Sequence, residues 1–138
     1  MLSDMTWRPW REAMEEALYG DSGFYRHALP ADHFRTSVTA GPLFASAVRR
    51  LASLVDDALG RPDPFDLVDL GAGGGELLAA LGEVPARWRL TAVDRHDVWP
   101  DTVEGLLLAN EWLDNVPLEV TFDGLLVEVL LDGTERLG

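Results

Sequence analysis

The chain has 138 residues, 47% of them hydrophobic, and a formal net charge of −13; all 11 of its basic residues are Arg. This length suits one domain able to bury roughly two-thirds of its unfolded surface. The acidity disfavours nonspecific nucleic-acid binding and anionic membrane surfaces, both of which need positive charge.

With no Cys there is no disulfide framework and no thiolate metal site. His27, His33 and His96 lack metal-ligand spacing. No stretch reads as a signal peptide or as the about 20 apolar residues of a membrane helix. The default class is a cytoplasmic enzyme or binding protein.

In chain order, residues 1–60 read as a helical and loop cap segment. A helix is expected over 8–19, with Thr6 as a possible cap and Gly20 at its end. A turn-rich loop carrying Phe24 and Tyr25 leads to a second helix over 42–59. Pro42 suits its first turn and Gly60 its end. Leu43, Phe44, Ala47, Val48, Leu51, Leu54, Val55 and Ala58 form its apolar stripe.

Residues 61–138 read as a Rossmann-like half-domain. Arg61-Pro62-Asp63-Pro64 breaks the chain before a strand at 65–70 and a helix at about 75–81. Leu90–Asp94 reads as a second strand, and Leu106–Ala109 as a third apolar run. Strands at about 118–122 and 125–131 flank Asp123-Gly124, a hairpin dipeptide. Asp132-Gly133 looks like one more turn, after which no strand or helix is expected. The expected architecture is therefore α/β: a mostly parallel sheet with helices on both faces, lacking its C-terminal strands and ending in a β-hairpin.

The most informative stretch is Asp69-Leu70-Gly71-Ala72-Gly73-Gly74-Gly75-Glu76, which joins a strand to a helix through a glycine turn. Such a turn holds nucleotide-like cofactors in parallel α/β sheets. A dinucleotide fingerprint would place its third glycine at position 76, which is Glu76. The Gly-x-Gly-x-Gly spacing instead resembles motif I of S-adenosylmethionine (SAM)-dependent methyltransferases. Asp69 then points toward the cofactor crevice and could meet the cationic end of the methionine moiety; a strand-end cap is the alternative. Asp94, 23 residues after Gly71, is placed to accept hydrogen bonds from ribose hydroxyls; the alternative is a solvated loop aspartate.

Asn110-Glu111-Trp112-Leu113-Asp114-Asn115-Val116-Pro117 follows the third apolar run. On a helix, Glu111 and Asp114 would share a face and could grip a guanidinium. Equally, Asn110 could cap a helix with both carboxylates in its first turn.

Several blocks together resemble the MidA-like SAM-dependent methyltransferases, whose mitochondrial members assist respiratory complex I assembly. They are residues 17–25 (Ala-Leu-Tyr-Gly-Asp-Ser-Gly-Phe-Tyr), His33–Ser37, Gly41–Phe44, Leu67–Gly75 and Leu108–Pro117, in matching order. The resemblance covers the family's N-terminal part only. It implies a Rossmann-like fold using SAM and yielding S-adenosylhomocysteine, with N-methylation of a protein arginine as the plausible activity. Carried onto this chain, it makes Asp69, Gly71, Ala72, Gly73, Gly75 and Asp94 cofactor-binding. Asn110, Glu111 and Asp114 would border the transfer site, and a loop with Tyr19, Gly20, Gly23, Thr36 and Ser37 would close over it. No metal is implied. The partner expected is a protein substrate, with a homodimer through an exposed sheet edge possible.

Two departures weigh on activity. Only ten residues separate Asp94 from Gly105, where relatives fit another strand, and the family's C-terminal half has no counterpart. The competing expectation is an inactive or truncated relative acting as a SAM-binding or protein-interaction module. A nicotinamide enzyme is the third.

Overall fold

A computed structural model describes residues 6–27 and 42–138. In chain order the elements are β1 (Arg8–Pro9), α1 (Trp10–Tyr19), α2 (Phe24–His27), α3 (Pro42–Ala58), β2 (Phe65–Leu70), α4 (Glu76–Ala80), β3 (Trp88–Val93) and β4 (Gly105–Leu108). A 3-10 turn (Leu113–Asn115) follows, then β5 (Thr121–Phe122), β6 (Leu125–Val129) and β7 (Glu135–Leu137). The described residues form two compact units, 42–113 and 6–27 with 114–138.

The first unit is built on β2. All six of its residues are buried, as a strand covered on both faces requires. It pairs in parallel with β3 (Phe65↔Trp88 through Leu70↔Val93) and with β4 (Asp66↔Gly105 through Asp69↔Leu108). The sheet order is β3-β2-β4. The strand that sequence read at 65–70 is therefore central, and the third apolar run lies on its far side from the second.

Alternation along β2 sends Phe65 and Leu67 to one face, where they pack with Ala45, Val48 and Ala52 of α3, Leu77 of α4, Leu81 and Trp88. Phe65 and Leu67 are fully buried, each contributing roughly 2–3 kcal/mol. The opposite face, with Val68, Leu70 and Val93, packs against Val103 and Trp112. Helices on both faces were expected. Among the described residues both helices of this unit pack into the Phe65–Leu67 cluster, and the residues packed on the other face lie in non-helical chain. The link from β3 to β4, residues 94–104, is too short to hold a helix and a further strand.

The stripe on α3 also differs from expectation. Its buried positions are Ala45, Val48, Ala52 and Asp56, with Phe44 and Val55 half-buried. Leu43, Leu51 and Leu54 point outward, Leu43 with 84% of its surface exposed. The small Ala45 and Ala52 bring the helix close to the sheet, and that close approach turns the leucines away.

Asp56 and Asp66 are buried carboxylates with full hydrogen-bonding partners. Asp56 accepts both terminal nitrogens of Arg87, one of them at 2.6 Å, and the Trp88 indole N–H at 3.0 Å. It ties the end of α3 to the start of β3. Asp66 accepts Arg89 Nε at 2.6 Å and the Glu104 N–H at 3.0 Å, tying β2 to its neighbours on both sides. The Arg partner is the largest influence holding each carboxyl below its ordinary value, against the opposing effect of burial.

The second unit centres on β6, which pairs antiparallel with β1, β5 and β7. Asp123 and Gly124 both have positive φ (50° and 80°), as a two-residue hairpin loop between Phe122 and Leu125 demands. Three sequence expectations change here. α1 begins at Trp10 after Pro9, and Thr6 does not cap it, because Arg8 and Pro9 pair with Val129 and Glu128. The flanking strands are shorter than the expected 118–122 and 125–131. A strand follows the Asp132-Gly133 turn where none was expected: β7 returns along β6 as a second hairpin, registering Val127 with Leu137.

Candidate functional site

The carboxyl ends of β2, β3 and β4 bring together the sequence-predicted residues of the first unit. β2 ends at Leu70 and runs into Gly71, Gly73 and Gly75, all with positive φ (70°, 55° and 80°), a backbone that only glycine adopts freely. α4 starts immediately after them. The N–H groups of Gly71 and Ala72 donate to the Val93 carbonyl at 2.8 and 3.2 Å. That bond ties the glycine turn to the residue before Asp94, so the spacing argument and the fold agree on placing Asp94 beside the turn.

Asp69 is the most unusual group here. Only 5% of its surface is exposed. Burial, and secondarily the negative charge of Glu76, push its pKa up to about 6. Glu76 itself curls over the turn: a β-carbon on Gly74 would lie 2.5 Å from Glu76 Oε1, and one on Gly73 3.7 Å from Oε2. A β-carbon on Gly75 would meet nothing within 4 Å. The turn thus presents bare backbone flanked by two carboxylates that repel one another, a setting that favours a cationic ligand.

Asp94 is exposed. Its Oδ1 accepts the Arg95 N–H at 2.7 Å, and its own N–H donates to Asp97 Oδ2 at 2.8 Å. At the end of β4, Asn110 is half-buried and Glu111 is exposed. Glu111 has φ 52°, which rules out the right-handed helix in which it would share a face with, or cap alongside, Asp114. Left-handed non-glycine residues cluster at functional sites.

Asp114 belongs to the second unit, as do Tyr19, Gly20 and Gly23. Tyr19 ends α1 and its Oη donates to the Asn115 carbonyl at 2.5 Å. Tyr25 Oη donates to Asn115 Oδ1 at 2.7 Å, and the two tyrosine rings stack 5.4 Å apart. Gly20 caps α1, and Gly23 is buried against Gly20 and Tyr19, where any β-carbon would collide with backbone. Thr36 and Ser37 lie outside the described residues.

Sequence reasoning missed Trp112, which packs on Gly71 and holds the Trp99 ring 5.7 Å away. It also missed Glu76 as a group folded over the turn and Asn115 as the acceptor of two tyrosines. A Trp inside an otherwise polar block was the available signal for the first; for Asn115 there was none.

No protein-family model matches the chain, and no curated protein does. Solved structures do. One is a COG1565 superfamily member from Burkholderia thailandensis, a candidate methyl transferase bound to S-adenosyl-homocysteine; the similarity is 22% identity and TM-score 0.61 over 96% of this chain and 45% of that one. Another, a native COG1565 superfamily protein from the same organism, matches with 24% identity and TM-score 0.55, over 96% of this chain and 43% of that one. The chain shares their fold. It spans less than half the length of either.

No group of three or more metal-ligating side chains occurs among the described residues.

Proposed function

We infer that this chain is the cofactor-binding part of a SAM-dependent methyltransferase of the MidA-like kind, with a protein arginine as methyl acceptor. One observation carries the cofactor reading: a buried carboxylate, Asp69, at the end of β2, leading into a Gly-x-Gly-x-Gly turn whose N–H groups bond Val93, the residue before Asp94. The fold shared with the SAH-bound neighbour supports it. SAM, when bound, supplies a methyl group already made electrophilic by its sulfonium. The chain's task is then positioning and electrostatics. Asp69 and Glu76 would hold the cationic end, Asp94 the ribose hydroxyls, and Gly71, Ala72, Gly73 and Gly75 the passage between them. Asn110 and Glu111 would orient a guanidinium, Glu111 through a charge-assisted bond.

The expected result in calorimetry is micromolar binding of SAM and S-adenosylhomocysteine, lost in Asp94→Ala while the far-UV spectrum is kept. Absence of binding at millimolar ligand, or tighter binding of NAD, defeats the reading.

A second reading is favoured by the short 94–104 link, which leaves no room for a strand beside β3: a module that binds SAM or a protein without transferring methyl groups. Cofactor binding with no methylation of arginine-containing protein by radiolabelled SAM supports this second reading.

A further inference from the structure

Trp99 is the one Trp, Tyr or Phe in the 95–104 link that follows Asp94. It is 50% exposed, yet the link that carries it is tied down on both sides. At the start, the Asp97 N–H donates to the Asp94 carbonyl at 3.0 Å and the Asp94 N–H to Asp97 Oδ2 at 2.8 Å, closing a tight turn. Farther on, Val103 packs against the cluster of Val68, Leu70 and Val93. Between these points Pro100 restricts the backbone of Trp99 to extended conformations. The Trp99 indole rests on that of Trp112, with ring centres 5.7 Å apart and planes inclined by 57°. Trp112 in turn packs on the same cluster and on Gly71. A half-exposed indole is thus fixed to the glycine turn through one intervening ring.

We propose that Trp99 is the stacking platform for the adenine ring of the cofactor. The inference rests on the cofactor reading above, in which Asp94 holds the ribose hydroxyls. Adenine is bonded to the ribose carbon beside the one carrying the 2′-hydroxyl. Gripping the ribose at Asp94 therefore sets the base down close to the start of the link. A purine presents two flat π-faces, and an indole is the side chain that matches them best in area. Isolated exposed apolar side chains are ordinary on a protein surface. Trp99 is set apart by its place, just after Asp94 and against the ring that packs on the first glycine of the motif. Its backing by Trp112 and its extended backbone leave little freedom to lose when a ligand stacks on it.

The test is calorimetry on the full chain with S-adenosylhomocysteine and with 5′-methylthioadenosine, which keeps the adenosine and lacks the amino-acid end. Trp99→Ala should weaken both about tenfold, because the lost contact is to the base they share. Trp99→Leu keeps an apolar cover over Trp112 and should lose nearly as much, whereas Trp99→Phe should lose less than about threefold. Saturating ligand should quench tryptophan emission in the native chain, and Trp99→Phe should lack most of that quench. Unchanged affinity in both Trp99→Ala and Trp99→Leu overturns the proposal. If Asp94→Ala still abolishes binding in that case, the cofactor reading stands without the platform. Tighter binding of NAD than of SAM, with the same dependence on Trp99, does the reverse: it defeats the methyltransferase reading and supports an adenine platform. No binding of any of these ligands overturns both.

Discussion

Trp112 lies against the bare α-carbon of Gly71, so that a β-carbon there would stand 2.5 Å from Trp112 Cδ1. The first glycine of the motif is therefore required by the chain's own packing as well as by its φ of 70°. A ligand is not the sole reason for a glycine at this point.

Gly71→Ala should lower stability by at least about 2 kcal/mol in urea denaturation, combining backbone strain with the clash. In a Trp112→Ala background the same change should cost only about 1 kcal/mol, the backbone part. Additive effects of the two substitutions would show that the contact is not made.

Asp69 sets a pH dependence. Its folded pKa, about 6, lies above the ordinary 3.8, so the folded state holds the proton more tightly than the unfolded one. Its contribution to stability is full below about pH 4 and is lost as pH rises through about 6. Asp69→Asn should therefore add about 1–2 kcal/mol at pH 7, allowing for solvent screening, and nothing at pH 4. SAM affinity should rise between pH 5 and 7 in the native chain as the carboxylate ionises, and show no such rise in Asp69→Asn.

Asp56 works in the opposite sense. Arg87 holds its carboxyl below the ordinary value, so its contribution is present above about pH 4 and lost as pH falls further. Asp56→Ala should lower the Tm at pH 7 and lessen the loss of Tm on acidification. Arg87→Lys should recover little, because a single ammonium cannot make the paired bonds. An unchanged Tm in Asp56→Ala would contradict the role given to this cluster.

Tyr25→Phe removes one hydrogen bond, to Asn115 Oδ1, and should destabilise by about 1 kcal/mol. The Asn115→Ala, Tyr25→Phe cycle should show coupling of about 0.5–1 kcal/mol. Hydrogen exchange in residues 113–117 should rise in the single Tyr25 variant. No change there would mean that the tyrosine does not hold this turn.

What sequence reveals here follows the range of each interaction. β2 was legible to the residue because a strand buried on both faces is a short apolar run bounded by Pro64 and Gly71. The Asp123-Gly124 hairpin was legible because its chemistry is local. Asp69, Gly71 and Asp94 were legible as a set because the βαβ geometry fixes their spacing. β1 was not, since two residues including a proline carry no periodicity and pair with partners more than a hundred positions away. β7 is too short to show alternation. The stripe read on α3 was right for Phe44, Val48 and Val55 but took in the exposed Leu43, Leu51 and Leu54 and missed Ala45 and Ala52, because leucines outweigh alanines in any apolar stripe, yet close helix–sheet contact prefers the smaller side chain. The helical reading of Glu111 and Asp114 failed on a single left-handed residue.

The central place of β2 has a kinetic consequence. Flanked by a strand on each side, its amides are shielded from solvent unless the sheet opens as a whole, whereas among the described residues β3 and β4 each have a strand on one side alone. Deuterium should enter Phe65–Leu70 last of all. The segment that delivers Asp69 and the glycine bend would then stay in place while its surroundings breathe.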